Sequence, residues 1–446
     1  MTKQSVINKV KFALGAMLLF LISFILHINF AVSLFLLSLA AYLKFNYPGL
    51  NQKNYNLLNL TFLFVITLAI SLSMFRHGWP VFMIPFCMVP MLAAVLFEER
   101  FIVILLSLAC AVTIASVVSA VSFYVLILFL ISGILSAILL VRVRRRSHII
   151  RAGWIIGAFQ AITLLFFEHF KINNAAVYLT LFLNGIASSI IVVGILPVFE
   201  YLFNTATNIS LLELADFDNP ILRQMMMEAP GTYHHSLIVG NLSEAAAQAI
   251  GAHALLARIG AYYHDIGKLS KPEYFSENQE IRSKHDTLSP SMSKMIIMNH
   301  VKEGMELAKK QRLKPPLIDF IQQHHGTSLV YYFYRKALER QDNGGKIQEE
   351  GFRYPGPKPK TKESAIVLLA DSVEAATRTL KDSDPANIED LVHKIINNKF
   401  IDGQLDECDL TLKDLEIIAT VFNRILGGMY HSRVTYPEGN ISNNHS

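Results

Sequence analysis

Apolar residues are not spread evenly along this chain; they crowd into roughly the first 203 of its 446 positions. Six runs, at about 57–75, 79–97, 101–118, 121–142, 150–169 and 176–203, each come close to the roughly 20 residues a helix needs to cross a bilayer. A hydrophobic content of 52% and a mean hydropathy of +0.37 also exceed what a soluble domain carries, so membrane-spanning helices are expected. The first block, from about Phe12 to Leu43, is too long for one ordinary span and short for two. His27 and Asn29 sit at its middle, where a tight turn fits.

Charge orients the bundle. Arg142, Arg144, Arg145, Arg146 and Arg151 form the densest basic loop, which the positive-inside rule places in the cytoplasm. One hairpin later, after 150–169 and 176–203, the chain returns to the same side, and there the polar remainder begins. Counting backwards puts Lys44 and Lys53 inside as well. Lys3, Lys9 and Lys11 are inside only if residues 12–43 cross twice, giving eight spans, the preferred count; one long tilted helix gives seven. Few ionisable residues interrupt the runs, so the pattern offers no proton relay or ion path and gives little support to a transporter. The three cysteines form no paired framework and suggest no thiol nucleophile, which fits a soluble half in a reducing cytoplasm. A net charge of +5 is too small to argue for binding a nucleic-acid polymer.

From about Asn204 the pattern turns amphipathic and helical, with Glu213, Asp216, Asp218 and Asn219-Pro220 marking a polar junction. Pro230-Gly231 reads as a break, Thr232 as an N-cap, and Gly251 as the end of an alanine-rich helix. Further helices are expected at about 253–267, 290–310, 316–325, 328–340, 363–381, 386–398 and 411–428. No run of alternating strands appears. Residues 341–361, rich in Gly, Pro and charge, read as a long loop, mobile and near the site. The expected architecture is all-α: a multi-span transmembrane helical bundle over 1–203, a helical cytoplasmic domain over 204–437, and a disordered tail over 438–446.

The chemistry is carried by a scattered set of side chains. His264-Asp265 ends an apolar helix and is followed by Gly267 and Lys268. His235, His300, His324, His325 and Asp371 complete the set. Imidazoles and carboxylates without thiolates suit a catalytic metal centre that handles water and phosphate. An Asp directly after a His can bridge two ions, and a bridged pair can activate water against a phosphodiester. Taken singly, each residue has a plainer reading. His234 and His235 point about 100° apart on a helix, and either is more often a surface histidine. His300 reads as the end of the helix beginning near Ser289, and Lys268 as compensating a helix dipole. Asp371 is harder to explain away: it interrupts the apolar run AIVLLADSVEAA, where an unpartnered charge is costly. Glu374, three residues on, is placed to support it.

The order of these residues, and the segments 229–240 (APGTYHHSLIVG), 260–279, 285–290 (HDTLSP), 321–327 (IQQHHGT) and 354–359 (YPGPKP), resembles the membrane-anchored, seven-transmembrane-receptor type of HD-domain phosphohydrolase. That resemblance covers about 190–437. It implies an all-helical HD domain with two divalent metal ions, iron or manganese, and hydrolysis of cyclic di-AMP to linear pApA. Carried over, one ion takes His235, His264, Asp265 and Asp371. The other takes Asp265 as bridge, with His300 and His324; His325 is a further ligand or a substrate contact. Asp265 and Lys268 are then the catalytic pair, Lys268 meeting a phosphate. His285-Asp286, a second HD dipeptide, falls outside the ligand positions. Many members carry a large extracellular domain after the first helix; here that position is the short turn at 27–29, which favours two crossings. Expected partners are a cyclic dinucleotide, the bilayer and, as an open option, a second copy of the chain in a homodimer. Two competing readings remain. The same fold hydrolyses cyclic di-GMP or alarmones, although no GYP motif lies near the HD element. A membrane receptor could also bind a nucleotide without cleaving it.

Overall fold

The computed structural model describes residues 14–15, 17, 30–46, 57–117, 122–168, 175–279, 284–339, 347–380 and 384–430. All elements among them are helical, apart from one isolated bridge between Leu329 and Arg353. The chain divides into two compact units, Met1–Ser210 and Leu211–Ser446.

The first unit contains α1 (Phe30–Asn46), α2 (Leu57–Arg76), α3 (Met88–Phe97), α4 (Arg100–Val117), α5 (Ser122–Leu139), α6 (Arg146–Phe167) and α7 (Ala175–Phe203). Four of these, α2, α4, α6 and α7, are long and apolar enough to cross a membrane; α1, α3 and α5 belong to shorter apolar stretches. The six apolar runs thus map onto helices. A double crossing of 12–43, with its turn at 27–29, falls largely outside the described residues, as do Lys3, Lys9, Lys11 and the tail 438–446.

Small residues let α6 and α7 approach backbone to backbone. A Cβ on Gly157 would sit 2.5 Å from the Phe182 carbonyl oxygen, and one on Gly185 would sit 2.4 Å from that of Gly153. With no hydrophobic drive between helices in lipid, such close contact and buried polar bonds hold a bundle together. The polar bonds are present: Gln160 Nε2 donates to Ser132 Oγ (2.7 Å) and Asn184 Nδ2 to the Ile84 carbonyl (2.7 Å).

The second unit begins with α8 (Asn208–Leu214), which straddles the division, and continues with α9 (Pro220–Glu228), α10 (Pro230–Ala249) and α11 (Ala254–Tyr263). After a run of short 3-10 turns come α12 (Pro290–Lys310), α13 (Pro315–Gln323), α14 (Tyr331–Glu339), α15 (Lys362–Thr377), α16 (Pro385–Ile401) and α17 (Leu412–Tyr430). α15 is the central strut: Ala365 to Ala370 are all buried, packed with Val239 and Leu242 of α10, Val392 of α16 and Phe422 of α17. Local signals set the ends. Ser289 caps α12 through Met292 N, Thr361 and Ser364 form a capping box on α15, and Gly251 takes φ +73° after α10.

Three local expectations are corrected. Thr232 is not an N-cap; α10 starts at Pro230, and the Thr232 N–H is satisfied by Asn278 Oδ1 (3.1 Å), 46 residues away. The helix expected to reach 267 stops at Tyr263, and Ile266–Ser270 forms a 3-10 turn. It cannot continue along the same line because Gly267 packs on the α12 backbone, where a Cβ would lie 1.9 Å from the His300 carbonyl oxygen. His300 does not end its helix; α12 runs ten residues further, to Lys310.

Candidate metal centre

All seven expected ligands come together. His235 comes from α10, His264 and Asp265 from the end of α11, His300 from the middle of α12, His324 and His325 from the end of α13, and Asp371 from α15. Their donor atoms form two groups, each within 4.8 Å: His235, His264, Asp265 and Asp371, and then Asp265, His300, His324 and His325. Asp265 is common to both. His234 is exposed on α10 and is in neither donor group, and His285 is held elsewhere, its Nε2 donating to the Tyr274 carbonyl (2.8 Å).

The rings are aimed by bonds at their far nitrogens. His264 Nδ1 donates to the Ala261 carbonyl (2.6 Å), His324 Nδ1 to that of Ile321 (2.9 Å), and His300 Nδ1 to that of Ile297. A carbonyl only accepts, so each Nδ1 carries a proton and each Nε2 is the atom turned inward, the one that can bind a metal. His235 has its Nδ1 2.5 Å from Glu374 Oε2. What the Nε2 atoms face is more negative charge. His235 Nε2 lies 3.0 Å from Asp371 Oδ1, His264 Nε2 3.2 Å from Asp265 Oδ2, and His300 Nε2 3.3 Å from Asp265 Oδ1. His300 and His324 face each other, Nε2 to Nε2, at 3.2 Å. His264 Nε2 and Asp265 Oδ1 are buried without a hydrogen bond. Ring nitrogens and carboxylate oxygens that converge in this way, two of them with no hydrogen bond, call for more positive charge than Lys268 alone brings. The donor set therefore fits divalent cations.

Proton affinities report the same field. Burial alone would lower the pKa of His264, but the Asp265 carboxylate beside it, with Asp371, pushes it up to about 10. At His300 burial outweighs the raising effect of Asp265 and takes the pKa down to about 4; burial also holds His325 well below the usual imidazole range. Both of these rings are neutral at ordinary pH, the form that binds metal.

Lys268 stands on the 3-10 turn rather than on an α-helical face. Its Nζ lies 2.7 Å from Asp265 Oδ2 and 2.7 Å from Glu277 Oε1. Burial disfavours its charge, but the two carboxylates outweigh that and hold it above the ordinary lysine range. Glu277 in turn is drawn down to about 2 by Lys268, against the opposing effect of burial. Lys268, Glu277, Phe275, Tyr354, Ala375 and Arg378 help line a cleft of about 420 Å³ that opens onto both donor groups.

Single-residue reasoning missed three of these. Glu277 fixes Lys268 and accepts from Thr232 Oγ1 (3.1 Å); the Phe275 ring lies 5.0 Å from Lys268 Nζ; Tyr354 stacks on His325 with centroids 4.2 Å apart at 26°. Their segments stood out as stretches, but nothing in the sequence singled out these side chains. The loop carrying Tyr354 is also tied to the turn after His325. Arg353 Nη1 donates to the Thr327 carbonyl (3.0 Å), and Thr327 N to Gln404 Oε1 (2.8 Å). Residues 341–346 of the expected long loop lie outside the described residues.

Comparison with known proteins places both halves. A family described as "7TM receptor with intracellular HD hydrolase" matches residues 12–207, and the HD domain family matches residues 232–376. The cyclic-di-AMP phosphodiesterase PgpH of Bacillus subtilis is 39% identical over 423 residues, 91% of this chain and 59% of that protein. Its namesake from Listeria monocytogenes is 37% identical over 386 residues, 85% of this chain and 53% of that protein. The chain thus spans between half and three fifths of the length of these relatives. The solved HD domain of the Listeria protein, in complex with cyclic-di-AMP, is 47% identical, aligns over 49% of this chain and 100% of its own, and has a TM-score of 0.46.

Proposed function

The chain belongs to the family of seven-transmembrane receptors with an intracellular HD hydrolase, and from that premise we propose that it is a membrane-bound, metal-dependent phosphodiesterase that hydrolyses cyclic di-AMP to linear pApA. The observation that carries the reading is the sharing of Asp265 between two buried donor groups beside one cleft. Two relatives that cover most of this chain are named cyclic-di-AMP phosphodiesterases, which favours that substrate. We assign residues 1–203 to the anchor and 204–437 to the hydrolase, with the hydrolase and the Arg142–Arg151 loop on the cytoplasmic side of the cell membrane.

In this assignment His235, His264, Asp265 and Asp371 hold one divalent cation, and Asp265, His300, His324 and His325 hold a second. An all-nitrogen and oxygen set suits iron or manganese. Cations held here would supply Lewis acidity, polarising a phosphoryl oxygen and making water acidic enough to attack phosphorus. The protein's own part is orientation and charge. Main-chain carbonyls and Glu374 fix the imidazole rings, so the donors need no rearrangement as charge develops. Lys268 has three N–H donors and two carboxylate partners, which leaves one donor for a phosphate oxygen on the cleft floor. The 3′-oxygen leaves as the new bond to phosphorus forms.

The test uses the full chain in detergent, loaded with Mn²⁺ or Fe²⁺ and given cyclic di-AMP and cyclic di-GMP side by side. Formation of pApA is expected. Turnover of cyclic di-GMP alone would reassign the substrate, and binding of either ring without product would turn the protein into a nucleotide receptor.

A further inference from the structure

Lys268 and Asp371 stand at the metal end of the cleft; Arg378 also lines it and has no part in the scheme above. Arg378 caps the C-terminus of α15, seven residues beyond Asp371. Seven residues are close to two helical turns, so the two share a face, with Arg378 about 10.5 Å further along the axis. Helical side chains lean back toward the N-terminus, which aims this one at the same opening. Its Nε lies 3.2 Å from Glu374 Oε1, and its two terminal nitrogens have no partner among the described residues. Lys268 is flanked by two carboxylates at 2.7 Å, whereas Arg378 keeps the flat outer edge of its guanidinium available.

A cyclic dinucleotide carries two phosphates on opposite sides of its ring, and one turnover cuts only one of them. The phosphate being cut belongs beside Asp265. The other needs a cation some distance away in the same cleft, preferably one that can meet two oxygens side by side, which guanidinium does and ammonium does not. We infer that Arg378 holds the second, uncut phosphate and so sets a preference for rings with two phosphates over simple diesters. The inference rests on the phosphodiesterase reading. It competes with a purely structural role, because Glu374 also holds His235 Nδ1, and loss of Arg378 could disturb the metal centre through that carboxylate.

The two roles separate by substrate. The full chain with Mn²⁺, as wild type, R378Q and R378K, is assayed on cyclic di-AMP and on bis(p-nitrophenyl) phosphate, a diester with one phosphate. R378Q should lower kcat/KM for cyclic di-AMP relative to the small diester at least tenfold, chiefly through KM, and R378K should restore part of the ratio. Equal losses on both substrates would assign Arg378 to support of Glu374 and His235 and overturn the inference; an unchanged ratio would overturn it as well. Wild type that cleaves the small diester and leaves cyclic di-AMP intact would defeat the parent reading, a different result from either. Should R378Q fail to fold, R378K carries the comparison, with a fall in the ratio of at least threefold expected.

Discussion

Asp265 is almost wholly buried, and its two oxygens look toward different sets of imidazoles. Replacing it with Asn keeps the shape and removes the charge shared by both groups. Metal content, measured by mass spectrometry on the purified protein, should fall for both ions. Turnover should drop by more than about a hundredfold, beyond the usual cost of losing a group behind a ligand. Glu374 is such a group: E374Q should cost about 10- to 100-fold in metal affinity or rate while leaving some of each. Glu277 offers a pH test. Its folded pKa is about 2 against an ordinary 4.5, a depressed carboxylate, so its contribution to stability is present above 4.5 and is lost as pH falls toward 2. The unfolding temperature of the wild type should therefore drop more steeply between pH 5 and 3 than that of E277Q; parallel curves would refute the pairing with Lys268. Asp371 was legible in the sequence because a charge inside an apolar helix demands a partner. His235 could not be told from His234 by type alone, since what separates them is burial against α15, a contact across more than a hundred residues.

At the level of elements, the site depends on close backbone approaches. The 3-10 turn after Asp265 lies on α12, and a Cβ on Gly267 would meet the His300 carbonyl oxygen at 1.9 Å and Gly304 N at 2.5 Å. Neither neighbour is a side-chain tip that could swing aside. G267A should destabilise the second unit by about 1–3 kcal/mol or more, read by denaturant unfolding, and should separate His300 from Asp265. Most helices of this unit were legible to within a few residues, because capping residues and prolines mark their starts; Ser289 before Pro290 is the clearest case. The start of α10 was misread because the helix begins two residues earlier, at Pro230, and the Thr232 N–H inside its first turn is met by Asn278 from far along the chain. The short turns between 266 and 287 were not foreseen at all: their shape follows from packing on α12 and α10, not from local propensity.

For the molecule as a whole, each unit has its own apolar core, one built around α3 to α7 and the other around α15. Metal sites bind the folded state only, so chelation should loosen the second unit and spare the first. Hydrogen exchange with and without EDTA checks this: protection of α10, α12 and α15 should fall, while the glycine-lined contact of α6 with α7 stays protected. The division into a lipid-facing half and a polar half was plain from hydropathy, because a bilayer imposes a length on every crossing. The joining of five separate segments at one point was not, and came only from the order of motifs. Three of the four Nε2-presenting rings with a fixed far nitrogen take their aim from a carbonyl three residues earlier on the same helix. Accuracy at the centre is thus inherited from winding. Insertions or deletions in the connecting segments should be tolerated across natural variants of this chain, whereas one residue added within α12 upstream of Ile297 would swing His300 by about 100° and leave the ring facing the wrong neighbour.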